Sequence, residues 1–214
     1  MATSTLIEVL FICMALALAA LVAFRAELTR ARGGKILAFF TLFVLPVLAV
    51  AMGYSEHMNR AESTQFCLSC HIMNDFGRSL YVDDPSYIPA KHFQNNLVPR
   101  DHACYTCHTD YAMFGTIHAK LTGLHHMEIQ YFGKPPAPAD IKLYTPFNNR
   151  ECLHCHAGSR AFEEVTRHNK TPEMMSQIMS NQVSCMTAKC HDTVHDVGTL
   201  SDATFWKGGE QDGQ

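Results

Sequence analysis

The sequence has no basic tract and no patch in which cations alternate with aromatic residues, so the electrostatic footprint of a nucleic-acid-binding protein is missing. Charge is sparse altogether, with 17% of residues Asp, Glu, Lys or Arg and a formal net charge of -3. Nucleic-acid binding is therefore set aside. The opening MATSTLIEV lacks the basic n-region of a cleaved secretory signal; Arg25, Arg30, Arg32 and Lys35 follow the first apolar run instead. That run is expected to be retained. Beyond Gly53 there is little regular apolar alternation, and few segments carry enough apolar content to build a core unaided.

What is present is concentrated. Much of the 47% hydrophobic content lies in two runs, LIEVLFICMALALAALVAF from Leu6 to Phe24 and ILAFFTLFVLPVLAVAM from Ile36 to Met52. Each is long enough to cross a hydrocarbon core of roughly 30 Å. The intervening RAELTRARGGK carries four cations against Glu27, which by the positive-inside rule places it in the cytoplasm. Both termini then lie outside, and the rest of the chain is delivered to the periplasmic face of a bacterial inner membrane. Glu8 is expected near the interface and solvated. Pro46 is predicted to kink the second helix, the freed carbonyl being taken up by a neighbouring helix or water.

Cysteine decides the chemistry. Eight of nine cysteines form four pairs, and each pair is followed at once by histidine: Cys67-Leu-Ser-Cys70-His71, Cys104-Tyr-Thr-Cys107-His108, Cys152-Leu-His-Cys155-His156 and Cys185-Met-Thr-Ala-Lys-Cys190-His191. The ninth, Cys13, lies in the first apolar run. Two thiols one turn apart reach the two vinyl groups of a haem, and the next residue offers its imidazole to the iron. In the last pair the four spacer residues loop out while the second cysteine stays beside its histidine. A disulfide framework or a zinc ribbon would also use cysteine pairs, but neither needs a histidine after every second cysteine. Four covalently attached haem c groups are therefore predicted.

Thirteen histidines are present, and His71, His108, His156 and His191 are already taken as proximal ligands. The remaining nine are His57, His92, His102, His118, His125, His126, His154, His168 and His195. A low-spin electron-transfer iron wants a second strong axial ligand, so this supply favours bis-histidine haems. His195 is too close to His191 to cross its own haem without strain and is assigned to a neighbouring one. His154, inside its motif, is expected to be a solvated bystander. The first motif continues to Met73, for which two readings stand: an axial thioether, or a side chain packed on the macrocycle.

With these four motifs, the first reading Cys67-Leu-Ser-Cys70-His71-Ile-Met73, the chain resembles the NapC/NirT/NrfH family of membrane-anchored tetrahaem quinol dehydrogenases from the second apolar run onward. The resemblance implies distal ligands at His92, in HFQNNLVPRDHAC ahead of the second motif, at His168, ahead of the fourth, and at His195, just after it. It also implies that Met73 ligates the first haem, with Asp110 over that haem's other face beside a quinol site. Asp110 is then a candidate proton acceptor, and Arg100 and Lys120 are candidates to orient the quinol ring or to pair with haem propionates. Typical members have one membrane helix and two spacer residues in the last motif; this chain has two apolar runs and four spacer residues there.

The fold expected is mainly α with little regular structure: a two-helix transmembrane anchor over 1–53, a small haem-filled multihaem cytochrome c domain over 54–207, and a flexible tail over 208–214. Helical pieces are predicted at Tyr111 to Phe132 and Arg160 to Gln182, separated by a Pro-rich loop from Gly133 to Asp140. Three functions compete. The first is oxidation of menaquinol or ubiquinol from the membrane pool, with electrons passed to a periplasmic reductase or cytochrome. The second is an electron relay among other subunits of a respiratory or photosynthetic membrane complex. The third, a terminal reductase with a five-coordinate haem, is disfavoured by the number of available histidines.

Overall fold

A computed structural model describes residues 2–192 and 194–206, so the expected tail 208–214 lies outside the described residues. The chain divides into two compact units, Met1–Ala61 and Glu62–Gln214. Among the described residues the architecture is helical, and strand pairing is confined to one bridge between Val82 and Phe205.

The first unit is a pair of apolar helices. Helix α1 (Ala2–Phe24) is followed by α2 (Arg32–Phe39), a π turn (Phe40–Val44) and α3 (Leu45–Arg60), the last three being continuous. Two helical stretches, Thr5–Phe24 and Arg32–Arg60, each hold an 18-residue segment apolar enough to cross a membrane, with mean hydropathies of 2.7 and 2.5 for those segments. The interruption at Pro46 takes the form of the π turn. A proline ring clashes with the carbonyl four residues back, here Leu42, and the turn containing Leu42 is widened so that Leu45 N–H reaches Phe40 O instead. Glu8 is half-buried, and its carboxylate lies over Gly53, where an added Cβ would come within 2.8 Å of it. Gly53 thus leaves room for a carboxylate between the helices. Helix α3 runs past Gly53 because Arg60 pairs with Glu56 one turn back at 2.9 Å and also donates to Thr5 on α1.

The second unit is made of short helices: α4 (Thr64–Leu68), α5 (Asn74–Ser79), α6 (Ile88–Gln94), α7 (Ala103–His108), α8 (Gly115–Phe132), α9 (Arg150–His156), α10 (Arg160–Glu163) and α11 (Met174–Met179). All but α8 are far below the length at which a helix holds itself together in water. Nor is there a large apolar core. One cluster joins Val82, Tyr87, Ala90 and Leu200, and a second joins Leu80, Phe93 and Ala103.

Side chains that grip backbone do much of the remaining work. Gln94 donates to Leu80 O and Val82 O at 3.1 and 2.9 Å. Buried Thr64 donates to Arg100 O and accepts from Ala103 N–H, both at 2.8 Å, which ties the start of the first cysteine helix to the start of the second. Thr64→Val keeps the shape and strands both backbone groups, so the variant should lose about 2 kcal/mol of stability. A denaturant midpoint equal to that of the parent would show the bonds to be replaced by water.

Two helical expectations are modified. Helix α8 begins at Gly115 rather than Tyr111, because its first turn lies against the backbone of residue 110: a Cβ on Gly115 would overlap the Asp110 carbonyl oxygen. The predicted helix over 160–182 is broken into α10 and α11. Between them Asn169 donates to Glu163 O and Val165 O at 2.6 and 3.0 Å, closing off the end of α10, and Pro172 prevents a direct restart. The Pro-rich stretch follows α8 as expected, with Gly133 N–H bonded to Ile129 O.

Candidate haem centres and an adjoining cavity

The middle two motifs lie on helices, Cys104 to His108 on α7 and Cys152 to His156 on α9, so the cysteines of each pair fall on one helix face with the histidine next in line. The first starts on α4 and ends on a 3-10 turn, His71–Met73. The fourth has no helix. Its longer spacer is absorbed at Lys189, whose φ of 72° is left-handed, while His191 N–H closes back onto Cys185 O at 3.0 Å. Asp192 accepts from Lys189 N–H and Arg167 donates to Lys189 O, both at 2.9 Å, which steadies this costly backbone.

Histidine rings come together in opposed pairs. His108 faces His195 with centroids 6.2 Å apart, His156 faces His92 at 6.0 Å, and His191 faces His168 at 6.2 Å. An imidazole–metal bond of about 2 Å, plus half a ring on each side, puts two trans imidazoles roughly 6 Å apart. Each pair joins one motif histidine to one of the three distal candidates. The distal rings are further prepared by their second nitrogens: His92 Nδ1 lies 2.9 Å from Ile88 O, His168 Nδ1 2.8 Å from Phe162 O, and His195 Nδ1 2.7 Å from Ser79 Oγ. A hydrogen bond there fixes the tautomer that offers Nε2 to a metal.

Electrostatics agrees with this. Burial, followed by the facing or neighbouring imidazole, holds His108, His156 and His191 below the ordinary histidine range, and burial with His108 nearby brings His195 to about 4. These rings stay neutral at pH 7, the form that binds metal. His195 also carries a left-handed φ of 47°, an uncommon conformation for a residue with a Cβ. Among the described residues no group of three or more His, Cys, Asp or Glu could hold a bare metal ion. A haem iron asks for two protein ligands, since the macrocycle supplies four nitrogens, and opposed pairs fit that demand.

The first motif is different. Among the described residues no imidazole faces His71, which is exposed, while Met73 on the same turn is half-buried. The thiols also pair across motifs. All are free thiols; Cys104 donates a hydrogen bond to the Cys67 sulfur and Cys152 to that of Cys185, which lowers the Cys67 and Cys185 thiols and raises the other two. The leading cysteines of motifs one and two are thus neighbours, as are those of three and four. Asn149 anchors the second of these arrangements: fully buried, it donates to Ile178 O and Val183 O at 2.8 and 2.7 Å and accepts from Cys185 N–H at 2.8 Å.

Asp110 follows motif two and lines a cavity of about 480 Å³ with Glu62, Tyr105, Thr106, Tyr111 and Thr116 among its walls. Arg100 and Lys120, the cations expected near it, do not line this cavity. Arg100 donates to Phe93 O and Gln94 O at 3.1 and 3.0 Å and stacks on Phe93 and Trp206, a structural duty. Lys120 pairs with Glu62 at 3.6 Å and lies over the Tyr105 ring. The cation on Asp110 is Arg150, at 2.7 Å. Next to it Glu151 accepts from Tyr111 N–H at 3.0 Å, its carboxyl pushed up by burial, and the Tyr111 ring stacks on His154 at 3.8 Å. The solvated His154 of the sequence reading is exposed but engaged. Tyr111 and His154 also line a second cavity of about 510 Å³. Nothing in the spacing marks Arg150 or Asn149; both stand just ahead of motif three, where only the folded chain brings motif two and motif four against them.

The model of a known family, described as the NapC/NirT cytochrome c family, N-terminal region, matches residues 29–199, a stretch that includes all four motifs and leaves out α1. No curated protein matches, and no solved structure does.

Proposed function

Because the chain belongs to the NapC/NirT cytochrome c family, a group of electron-transfer proteins with covalently bound haem c, we propose that it is a quinol dehydrogenase with four haems, held in the bacterial inner membrane with residues 54–207 on the periplasmic side. Menaquinol or ubiquinol is the donor, and a periplasmic reductase or cytochrome of the respiratory chain is the acceptor. The proposed attachment residues are Cys67 and Cys70, Cys104 and Cys107, Cys152 and Cys155, and Cys185 and Cys190. The proposed axial pairs are His108 with His195, His156 with His92, and His191 with His168; Met73 serves the first site, where among the described residues no ring faces His71.

The observation that carries the electron-transfer reading is the set of three opposed imidazole pairs. A site closed on both faces exchanges electrons with little change in geometry and leaves no open position for a small substrate. When bound, haem supplies the one-electron redox chemistry. Supporting the quinol reading is the Asp110 cavity, whose volume suits a ring-sized ligand. Oxidation of a quinol to a quinone releases two electrons and two protons. The Asp110 carboxylate, oriented by Arg150, accepts one proton from a quinol hydroxyl, the second proton leaves to water, and the two electrons would pass singly to the haem held by the first motif.

In detergent, the haem-loaded protein should be reduced by a menaquinol analogue, and a quinol-site inhibitor should block the reduction. Asp110→Asn should slow it about a hundredfold, with reduction by dithionite unchanged. Haem spectra that do not respond to the quinol would overturn the reading. One observation favours a relay within a larger membrane complex instead: α1, an apolar helix beyond the family match, is available to contact another subunit.

A further inference from the structure

Of the three distal rings, two direct their second nitrogen at a backbone carbonyl of their own segment: His92 at Ile88, four residues back, and His168 at Phe162, six back. His195 does not. Its Nδ1 lies 2.7 Å from the Ser79 hydroxyl, 116 residues away in the sequence. Ser79 is fully buried as the last residue of α5, and its hydroxyl donates to Phe76 O at 2.6 Å. A serine hydroxyl has one proton. With that proton on the carbonyl, only oxygen lone pairs face His195, so Nδ1 carries the hydrogen and donates it. The result is a directed chain from His195 Nδ1–H to Ser79 Oγ–H to Phe76 O. The Phe76 ring stands edge-on against the imidazole, with centroids 5.6 Å apart.

We propose that Ser79 is a positioning residue that sets the redox potential of the iron held by His108 and His195. The inference rests on the axial pairing above. Ser79 acts through the ring: an acceptor on Nδ1–H draws the proton outward and leaves Nε2 richer in electrons, which favours ferric over ferrous iron. The carbonyl that holds the serine proton polarises the hydroxyl in turn, so the two bonds strengthen each other. Burial of Ser79 keeps water from standing in for it. A single side chain therefore adjusts this iron, whereas at His92 and His168 the acceptor belongs to the backbone.

The location of Ser79 gives the bond a use. Helix α5 opens on Met73, its N-cap residue, and closes on Ser79. Six residues at about 1.5 Å each put roughly 9 Å of helix between them. One short helix thus carries the candidate ligand of the first site at its start and, at its end, the acceptor that orients the ligand of the second.

The test is a potentiometric titration, followed optically, of the full haem-loaded chain in detergent. In Ser79→Ala one component should shift upward by a tenfold change in its ferric-to-ferrous ratio at fixed applied potential, about 59 mV for one electron, with the others at their parent values. Ser79→Thr, which keeps the hydroxyl, should restore the parent value. Ser79→Val has the shape of Ser79→Thr without the hydroxyl and should behave as Ser79→Ala; if Ser79→Ala fails to load haem, the comparison of Ser79→Thr with Ser79→Val decides. No upward shift on loss of the hydroxyl, equal movement of every component, or equal values for Ser79→Thr and Ser79→Val would overturn the role of Ser79. His195→Met in the same titration separates this inference from the pairing beneath it. If His195→Met moves no component, the pairing itself fails; if it moves one that loss of the Ser79 hydroxyl does not, only the role of Ser79 fails.

Discussion

On the proposed set of four haems, exchange of His195 for methionine will raise the midpoint potential of one haem by on the order of 100 mV and leave the other three near their parent values. The expectation follows from the opposed rings of His108 and His195, 6.2 Å apart and only 19° from parallel. Thioether is a weaker donor to ferric iron than imidazole, so the oxidised state loses more than the reduced state. A potentiometric titration followed by optical spectroscopy reads the four values. Four unshifted potentials would remove His195 from the ligand set. The assignment to motif two can be read in the same experiment, because His108→Met should move the same component. The left-handed backbone at His195 adds a second signature: His195→Gly relieves the conformational strain yet opens an axial position, so the variant should bind carbon monoxide when reduced.

The second large effect is at Asn149. Its amide satisfies two carbonyls and one N–H from the segment that leads into motif four, and its own N–H bonds to Asn181 Oδ1 at 2.8 Å. Asn149→Ala strands Val183 O and Cys185 N–H, while Ile178 O keeps its bond from Asn181 N–H at 3.1 Å. At roughly 1 kcal/mol or more for each stranded group, the loss is about 2 kcal/mol, a large share of the stability of so small a unit. Asn149→Asp should be as damaging, because a carboxylate faces two carbonyl oxygens with no proton to donate. Denaturant unfolding and the haem count per chain measure the two consequences. If Asn149→Ala unfolds at the parent midpoint with all its haems, the amide does not hold motif four.

The helical apolar runs were legible because membrane helices declare themselves by length and composition, and the haem motifs because covalent attachment demands a fixed spacing. The form of the Pro46 interruption was not, since a proline says that the ladder fails and not how the chain repairs it. The long helix over 160–182 was overdrawn because His168 and Asn169 spend their side chains on carbonyls of α10, a competition that composition does not display. Arg150 was missed for a related reason. It is one cation among many until α7 and α9 set it against Asp110, whereas Arg100, closer in sequence, is held by the carbonyls of residues 93 and 94. Local patterns identify groups that work with their own neighbours; partners drawn from distant segments need the fold.

The ring pairs also bear on how the chain is held together as a polymer. The Pro-rich stretch from Gly133 to Asp140 separates motifs one and two from motifs three and four, yet His92 precedes it and faces His156 beyond it, and His195 beyond it faces His108 before it. On the proposed pairing, each such iron is a cross-link between the two halves of the sequence, closing a long loop and stripping conformational freedom from the unfolded chain as a disulfide does. Only His168 and His191 lie on the same side. A backbone cut within the Pro-rich stretch would therefore leave the two fragments joined through metal.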